Sequence, residues 1–242
     1  VADIDLASTS TGANKKFVLW PPLGMLDTEF YALGVAVSGA YAYLANDYMS
    51  LTVADISNPS APTWIGNCSS GQGFEIVVSG AYAYVTGGYA SDLDIFNISN
   101  PATPTETSTF LSGGFSEGVV LSGAYAYMCD GVNGLKIVNI ANPAQPSLKG
   151  VFDTAGAAYG VAVSGAYAYV ADRTSDLLYI INISYPAEPT LMSTFTLANT
   201  PYEGIFVSGS YVYVGAGDME ILNISNGALP TRVAVQAVDG DA

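Results

Sequence analysis

The chain has 242 residues, with 6 Lys plus Arg, 21 Asp plus Glu and no His, for a formal net charge of -15. That balance excludes nucleic acid and anionic membrane surfaces as partners, because both need a basic footprint to release counterions. The absence of His excludes Ser-His and Cys-His nucleophiles and His-ligated zinc, and with 50% apolar and only 11% charged residues the chain is expected to bury a large core rather than stay disordered.

In chain order, the first 30 residues precede any repeat. Residues 17–20, Phe-Val-Leu-Trp, read as a strand, which Pro21 and Pro22 terminate. The apolar run 17–26 is too short to cross a bilayer. No charged leader precedes it, so a signal peptide is expected to be absent or already removed. Leu26-Asp27-Thr28 stands before Gly34 as Phe152-Asp153-Thr154 stands before Gly160, so the approach to the first repeat reads as an outer strand.

The string Ser-Gly-Ala/Ser-Tyr-x-Tyr then occurs five times, and its glycines, Gly39, Gly80, Gly123, Gly165 and Gly209, lie 41, 43, 42 and 44 residues apart. Periods of about 40–50 residues belong to propeller blades or helical arrays. Each unit opens on an apolar run (35–37, 76–78, 119–121, 161–163, 205–207), predicted as a strand buried on both faces. Ser-Gly then makes a hairpin turn. The second strand alternates small residues with Tyr, which puts both tyrosines on one face and Ala on the other. A third strand is predicted at 51–56, 93–98, 135–140, 177–183 and 219–224. A turn of the Asn-Pro-x-x-Pro kind leads from it to a more polar fourth strand, such as 106–110 or 148–152. No stretch carries the apolar stripe of a helix, which excludes helical arrays.

The predicted fold is all-β: a β-propeller of five four-stranded blades over residues 31–242, after an N-terminal extension, residues 1–30, with one or two strands. A six-bladed ring with a partial N-terminal blade is the alternative. The extension closes the ring, begins that sixth blade, or pairs with a neighbouring molecule. The Tyr and Ala faces suit blades stacked face to face, a bulky face on a small one. Cys68 and Cys129 fall in different blades and are expected as free, buried thiols.

The units, for example Gly160-Val161-Ala162-Val163-Ser164-Gly165-Ala166-Tyr167-Ala168-Tyr169-Val170-Ala171-Asp172, with strands such as Leu135-Lys136-Ile137-Val138-Asn139-Ile140 and the Asn-Pro-x-x-Pro turn, resemble the LVIVD-repeat family. The resemblance covers about residues 31–238. It implies a bacterial or archaeal β-propeller, of a kind common in secreted and surface proteins and mostly without assigned activity. The family's Asp near the end of the third strand is kept once, as Asp55, with Asn elsewhere.

Three groups of residues are site candidates. Asn97, Asn182 and Asn223 open Asn-Ile-Ser sequons in one repeat column, and Asn67 opens a fourth sequon. They are glycan acceptors if the chain is exported, or turn caps, as Asp55 and Asn139 are in the same column without a sequon. Glu75, Glu117 and Glu203 start innermost strands near the channel mouth, as an acidic ring for a metal cation or as solvated rim carboxylates. Asp47, Asp92, Asp94, Asp130, Asp172, Asp176 and Asp218 are assigned to second-to-third-strand loops as turn formers. No acid pair stands out for glycoside hydrolysis. The chain is therefore expected not to be an enzyme, with no catalytic residue and no cofactor. The expected function is a non-catalytic extracellular or cell-surface module for interaction or assembly, such as a subunit of a fibre or surface layer. Its partners are then copies of itself, or other surface proteins and glycans. The alternative is a glycan-binding adhesin or a glycan-active enzyme.

Overall fold

The computed structural model describes residues 23–27, 31–87, 93–201 and 204–236. Blade 1 holds β1 (Ala32–Ser38), β2 (Tyr41–Asn46), β3 (Ser50–Asp55) and β4 (Thr63–Cys68). Blade 2 holds β5 (Ile76–Ser79), β6 (Tyr82–Thr86), β7 (Leu93–Asn97) and β8 (Thr105–Phe110). Blade 3 holds β9 (Val119–Ser122), β10 (Tyr125–Cys129), β11 (Leu135–Asn139) and β12 (Ser147–Phe152). Blade 4 holds β13 (Ala158–Ser164), β14 (Tyr167–Asp172), β15 (Leu177–Asn182) and β16 (Thr190–Thr196), and blade 5 holds β17 (Ile205–Ser208), β18 (Tyr211–Ala216), β19 (Asp218–Asn223) and β20 (Thr231–Gln236). Each blade is one antiparallel sheet in sequence order. The all-β fold of five four-stranded blades is the one the repeats predict. Most of the N-terminal extension, with the strand read at 17–20, lies outside the described residues.

Local chemistry sets the strand ends. Ser38 pairs with Tyr41, leaving the two-residue loop Gly39-Ala40. Gly39 sits at φ +59, and its four repeat equivalents at +57 to +59, the first central position of a II′ hairpin, where only Gly is unstrained. The third strands stop one residue early. The side chains of Asp55, Asn97, Asn139, Asn182 and Asn223 each accept the N–H two residues on, at 2.8 to 3.0 Å, which turns the chain.

Four apolar cores join consecutive blades. Between blades 1 and 2, Tyr43, Leu51 and Val53 meet Ile76, Ala83 and Phe96. The same columns meet between blades 2 and 3, 3 and 4, and 4 and 5. The Tyr face of each blade thus packs on the small-residue face of the next, as the alternation predicts. Both cysteines are free thiols, Cys129 buried and Cys68 half-buried. Burial pushes both thiols up from the ordinary range, Cys129 far more.

A second contact locks the rim. One position of the fourth strand is small in every unit, opposite Val53, Ile95, Ile137, Ile180 and Ile221: Gly66, Ser108, Gly150, Ser193 and Ala234. A Cβ on Gly66 would lie 2.7 Å from the Pro101 carbonyl oxygen, and one on Gly150 would lie 2.1 Å from that of Pro186. Ser108 donates to the Pro143 carbonyl and Ser193 to the Gly227 carbonyl, both at 2.6 Å. The outer strands of blades 1 to 4 therefore rest on the proline-type turn of the next blade.

Gly24 repeats this contact one blade earlier. A Cβ there would lie 2.2 Å from the Pro59 carbonyl oxygen and 2.7 Å from Pro62 Cδ, in the turn of blade 1. Gly24 thus sits against the blade 1 turn as Gly66 and Gly150 sit against theirs; Thr28 lies outside the described residues.

Gly150→Ala forces a methyl onto backbone and is expected to cost about 1–3 kcal/mol. At roughly 2–4 °C per kcal/mol for a domain of this size, thermal circular dichroism should show a midpoint several degrees lower, with a smaller drop for Ser193→Ala. Burial, and then the neighbouring Tyr two residues earlier, raise the hydroxyl pKa of Tyr43, Tyr84, Tyr127 and Tyr169 above the tyrosine value of 10.0. Their folded form holds its protons more tightly than the unfolded one. Stability is therefore full below about pH 10 and falls as pH rises through the raised values. Tyrosinate absorbance and unfolding should rise together in an alkaline titration.

Candidate functional site

The innermost strands of blades 2 to 5 line a central cavity of about 380 Å³, with Val77, Val120, Ala162 and Phe206 on its wall and Glu75 at its edge. Glu75 apart, the lining is apolar. The three glutamates do not share one register. Glu75 lies opposite Thr86, and Gly118 lies opposite the equivalent Cys129, with backbone bonds Thr86 N to Glu75 O at 3.0 Å and Cys129 N to Gly118 O at 2.9 Å. Glu117 is therefore one residue off the Glu75 column, and on a strand one residue reverses the face. Glu117 is buried while Glu75 lines the cavity. Glu203 lies outside the described residues. Among the described residues, no three acidic or Cys side chains stand close enough together to hold a metal ion.

The sequon column is built as a set of turn caps. Asn97, Asn182 and Asn223 use Oδ1 to accept the N–H of Ser99, Ser184 and Ser225, each at 2.9 Å. Asn67 is exposed on β4, and its Nδ2 donates to Met49 Sδ at 3.5 Å.

The aspartates divide. Asp172 accepts the N–H groups of Thr174 and Ser175 at 3.1 and 2.9 Å, and Asp130 accepts from Ser116 at 3.0 Å and Asn133 at 2.9 Å. Asp172 is a loop cap, as predicted, whereas Asp130 is fully buried and its carboxylate is held by side chains. Asp94 is different. It lies inside β7, fully buried, and accepts from Ser70 at 2.5 Å and Thr109 at 2.7 Å. Asp92 lies outside the described residues.

Asp94 belongs to a column that sequence reading missed: Thr52, Asp94, Lys136, Tyr179 and Glu220. Each directly follows a third-strand Leu or Met (Leu51, Leu93, Leu135, Leu178, Met219), and all five are buried, the last four facing the preceding blade and Thr52 lying on the blade 1 face that turns away from blade 2. Lys136 pairs with Asp130 at 2.5 Å and donates to the Ser112 carbonyl. Glu220 pairs with Arg232 and accepts the Ala198 N–H at 2.8 Å. The available signal was variability, a polar residue of changing type amid fixed apolar neighbours. The charges are spread over separate blades, each held by partners of its own.

The largest unsatisfied feature is apolar. Among the described residues, no core joins blade 5 to blade 1. On the blade 1 side, Val35 and Val37 are 62% and 64% exposed, whereas Ile76, Val119 and Val161, in the Val35 column, are buried. On the blade 5 side, Phe206 is 66% and Met219 37% exposed, whereas Ala162 and the leucines equivalent to Met219 are buried. Tyr211 is also exposed there. One wall is a small-residue face and the other a Tyr face, the two halves of a blade junction. We call the space between them the open sector. It was absent from the sequence reading, because repeats count blades and not junctions.

The sheets, cores and rim contacts define a repeat-built β-propeller. The LVIVD repeat matches residues 31–70, 70–112, 113–154, 155–196 and 203–235. The chain belongs to the LVIVD-repeat family. Among curated proteins, none matches it. Solved structures share the fold. A protein from Lactobacillus plantarum is 14% identical at a TM-score of 0.76, over 87% of this chain and 72% of its own. The periplasmic gluconolactonase of Pseudomonas aeruginosa is 14% identical at 0.74, over 86% and 70%. The Cps50 β-propeller domain of Myceliophteria thermophila is 10% identical at 0.68, over 86% and 73%.

The gluconolactonase corrects one expectation. The chain was expected not to be an enzyme because no catalytic constellation stands out in its sequence. The same propeller carries an enzyme in that relative of the fold, so the exclusion does not stand. A propeller gathers side chains from several blades, which no linear motif reveals. At such identities the likeness shows the fold alone. No helix among the described residues is long and apolar enough to cross a membrane.

Lys136→Met leaves the Asp130 carboxylate buried without its cation. Breaking a buried pair from one side costs about 3–5 kcal/mol, so denaturant unfolding should show a large loss for this variant. Lys149→Met, on an exposed outer-strand lysine, should be near neutral.

Proposed function

We propose that the chain is an extracellular or cell-surface module for interaction and assembly, working through the open sector. The observation that carries this reading is the set of exposed apolar side chains on the two end blades, Val35 and Val37 on one side and Phe206, Tyr211 and Met219 on the other. Contiguous exposed apolar surface marks an interaction site. The partner the chain itself supplies is a second copy, as in the assembly of a fibre or surface layer. Four sequons and a surface poor in Lys and Arg support an exported chain. Mass spectrometry of native material should find glycans on the exposed Asn67 before the half-buried Asn97, Asn182 and Asn223. A catalytic use of the propeller is the second reading. It draws on the fold shared with the gluconolactonase, and turnover of a sugar lactone by the purified chain would support it.

Sedimentation velocity and electron microscopy over a concentration series test the assembly reading. Concentration-dependent oligomers or filaments are expected. Val35→Asp and Phe206→Asp, one on each wall, should each abolish them, while Val151→Asp on the outer strand of blade 3 should not. A monomer at every concentration, or association indifferent to both wall variants, overturns it.

A further inference from the structure

We propose that a small monovalent cation binds beside Asp172, at the junction of blades 3 and 4, in the place that the Lys136 ammonium holds one blade earlier. The repeat supplies the comparison, because the same positions recur in blades 1, 3 and 4 with different side chains.

Asn46, Asp130 and Asp172 form one column, directly after the second-strand residues Ala45, Cys129 and Ala171. All three are fully buried. Blades 2 and 5 have Gly87 and Ala216 there and bring no charge to the position. In blade 1 the side chain is neutral. Asn46 Oδ1 accepts the N–H groups of Tyr48 and Met49 at 3.2 and 2.6 Å, and its Nδ2 donates to Thr52 Oγ1 at 2.8 Å. In blade 3 the side chain is a carboxylate, and the Thr52 column supplies Lys136. The Lys136 ammonium lies 2.5 Å from Asp130 Oδ2 and also donates to the Ser112 carbonyl. Asn133 donates to the same Oδ2 at 2.9 Å.

Blade 4 keeps the carboxylate and changes the partners. Asp172 Oδ1 caps its loop through the N–H groups of Thr174 and Ser175, as Asn46 does in blade 1. Tyr179 stands in the Lys136 column and Ser175 in the Asn133 column. Asp172 Oδ2 is buried and has no hydrogen-bond partner among the described residues. Arg173, the adjacent cation in sequence, turns onto the Tyr159 ring, 5.0 Å from its centroid. A charge at this depth is costly unless it is paired or coordinates an ion.

Oxygen donors stand around that atom. Thr154 occupies the Ser112 position, two residues after Phe152 as Ser112 is two after Phe110, and two before a glycine that touches the carboxylate. A Cβ on Gly156 would lie 2.2 Å from Asp172 Oδ1, as one on Gly114 would lie 2.5 Å from Asp130 Oδ1. In blade 3 the Ser112 hydroxyl donates to Asp130. Thr154 is fully buried, and its Oγ1 has no hydrogen-bond partner among the described residues; Ser175 Oγ is likewise buried without one. Asp172 Oδ2, the carbonyl and hydroxyl of Thr154 and the hydroxyl of Ser175 are hard oxygen donors, which suit a hard cation. The set holds one carboxylate, so one positive charge balances it, as one ammonium does in blade 3. Divalent sites draw on several carboxylates.

Thermal unfolding of the full chain, at a concentration where it is monomeric, tests the proposal in potassium, sodium and tetramethylammonium chloride at one ionic strength. At about ten times its dissociation constant, an ion that binds only the folded chain raises the midpoint by roughly 3–6 °C. Potassium or sodium should give a saturable rise of that size, and the bulky tetramethylammonium should not. Asp172→Asn copies Asn46 of blade 1 and should erase the difference between salts. Tyr179→Lys copies blade 3, supplies the ammonium within the chain, and should erase it too. Crystals soaked in a thallium(I) salt should show an anomalous peak in contact with Asp172 Oδ2. A midpoint indifferent to the cation overturns the proposal and leaves the carboxylate to a proton or a water. A salt effect that survives Asp172→Asn, or thallium bound only elsewhere, overturns it as well. These readouts are taken on monomer, so their failure is separate from failure of the assembly reading.

Discussion

A blade of this propeller is stable only with a neighbour on each side. Its two faces are unlike, one carrying the paired tyrosines and the third-strand Leu and Ile, the other carrying Ala, Val and the closing Ile. Each is too apolar to face water, and each fits only its opposite. A sheet-on-sheet core of this kind is the main source of stability in such folds. In a linear row of blades the constraint is met everywhere but at the two ends. The cavity, the rim and the open sector all derive from it. Where the described row stops, the Tyr face of blade 5 and the small-residue face of blade 1 share no core with one another.

The rim contacts and the buried polar column refine this junction and do not replace it. Small residues at the outer-strand position let one blade's edge approach the next blade's turn to contact distance. A larger side chain there would hold the blades apart along their whole length. The variable third-strand position, Asp94, Lys136, Tyr179 and Glu220 in blades 2 to 5, is buried in the four junctions. An unpaired charge at that depth would be costly. Lys136 is therefore answered by Asp130, Asp94 by Ser70 and Thr109, and Glu220 by Arg232 and the Ala198 amide. These sets differ from blade to blade, which makes otherwise similar junctions distinguishable and opposes mispairing of repeats.

Much of the fold was legible because period-2 alternation and turn chemistry are local. The Gly39 hairpin, the Tyr faces and the Asx-capped strand ends need only a few neighbouring residues to specify them. The features that were not legible depend on register or on distance. Glu75 and Glu117 look alike in a list of acids near Ser-Gly, yet a shift of one residue separates cavity from core. Asp94 falls inside the strand predicted at 93–98, but its partners Ser70 and Thr109 are 24 and 15 residues away, so its buried role is not legible locally. The open sector has no sequence signature at all, since Val35 and Ile76 are the same kind of residue and only their surroundings differ.

The charge acquires its meaning from the same geometry. A chain at -15 repels its own copies at long range, and that repulsion is screened within about 10 Å at 0.1 M salt. The residues that line the two walls, Val35, Val37, Phe206, Tyr211 and Met219, are all uncharged. Among the described residues, the acids lie in loops and caps, at the cavity edge, or paired inside junctions. What a group gains against these uncharged wall side chains comes from apolar area and from main-chain hydrogen bonds to strand edges. Repulsion spread over the surface and attraction confined to one sector is an arrangement that keeps copies apart except where a blade's worth of surface is missing.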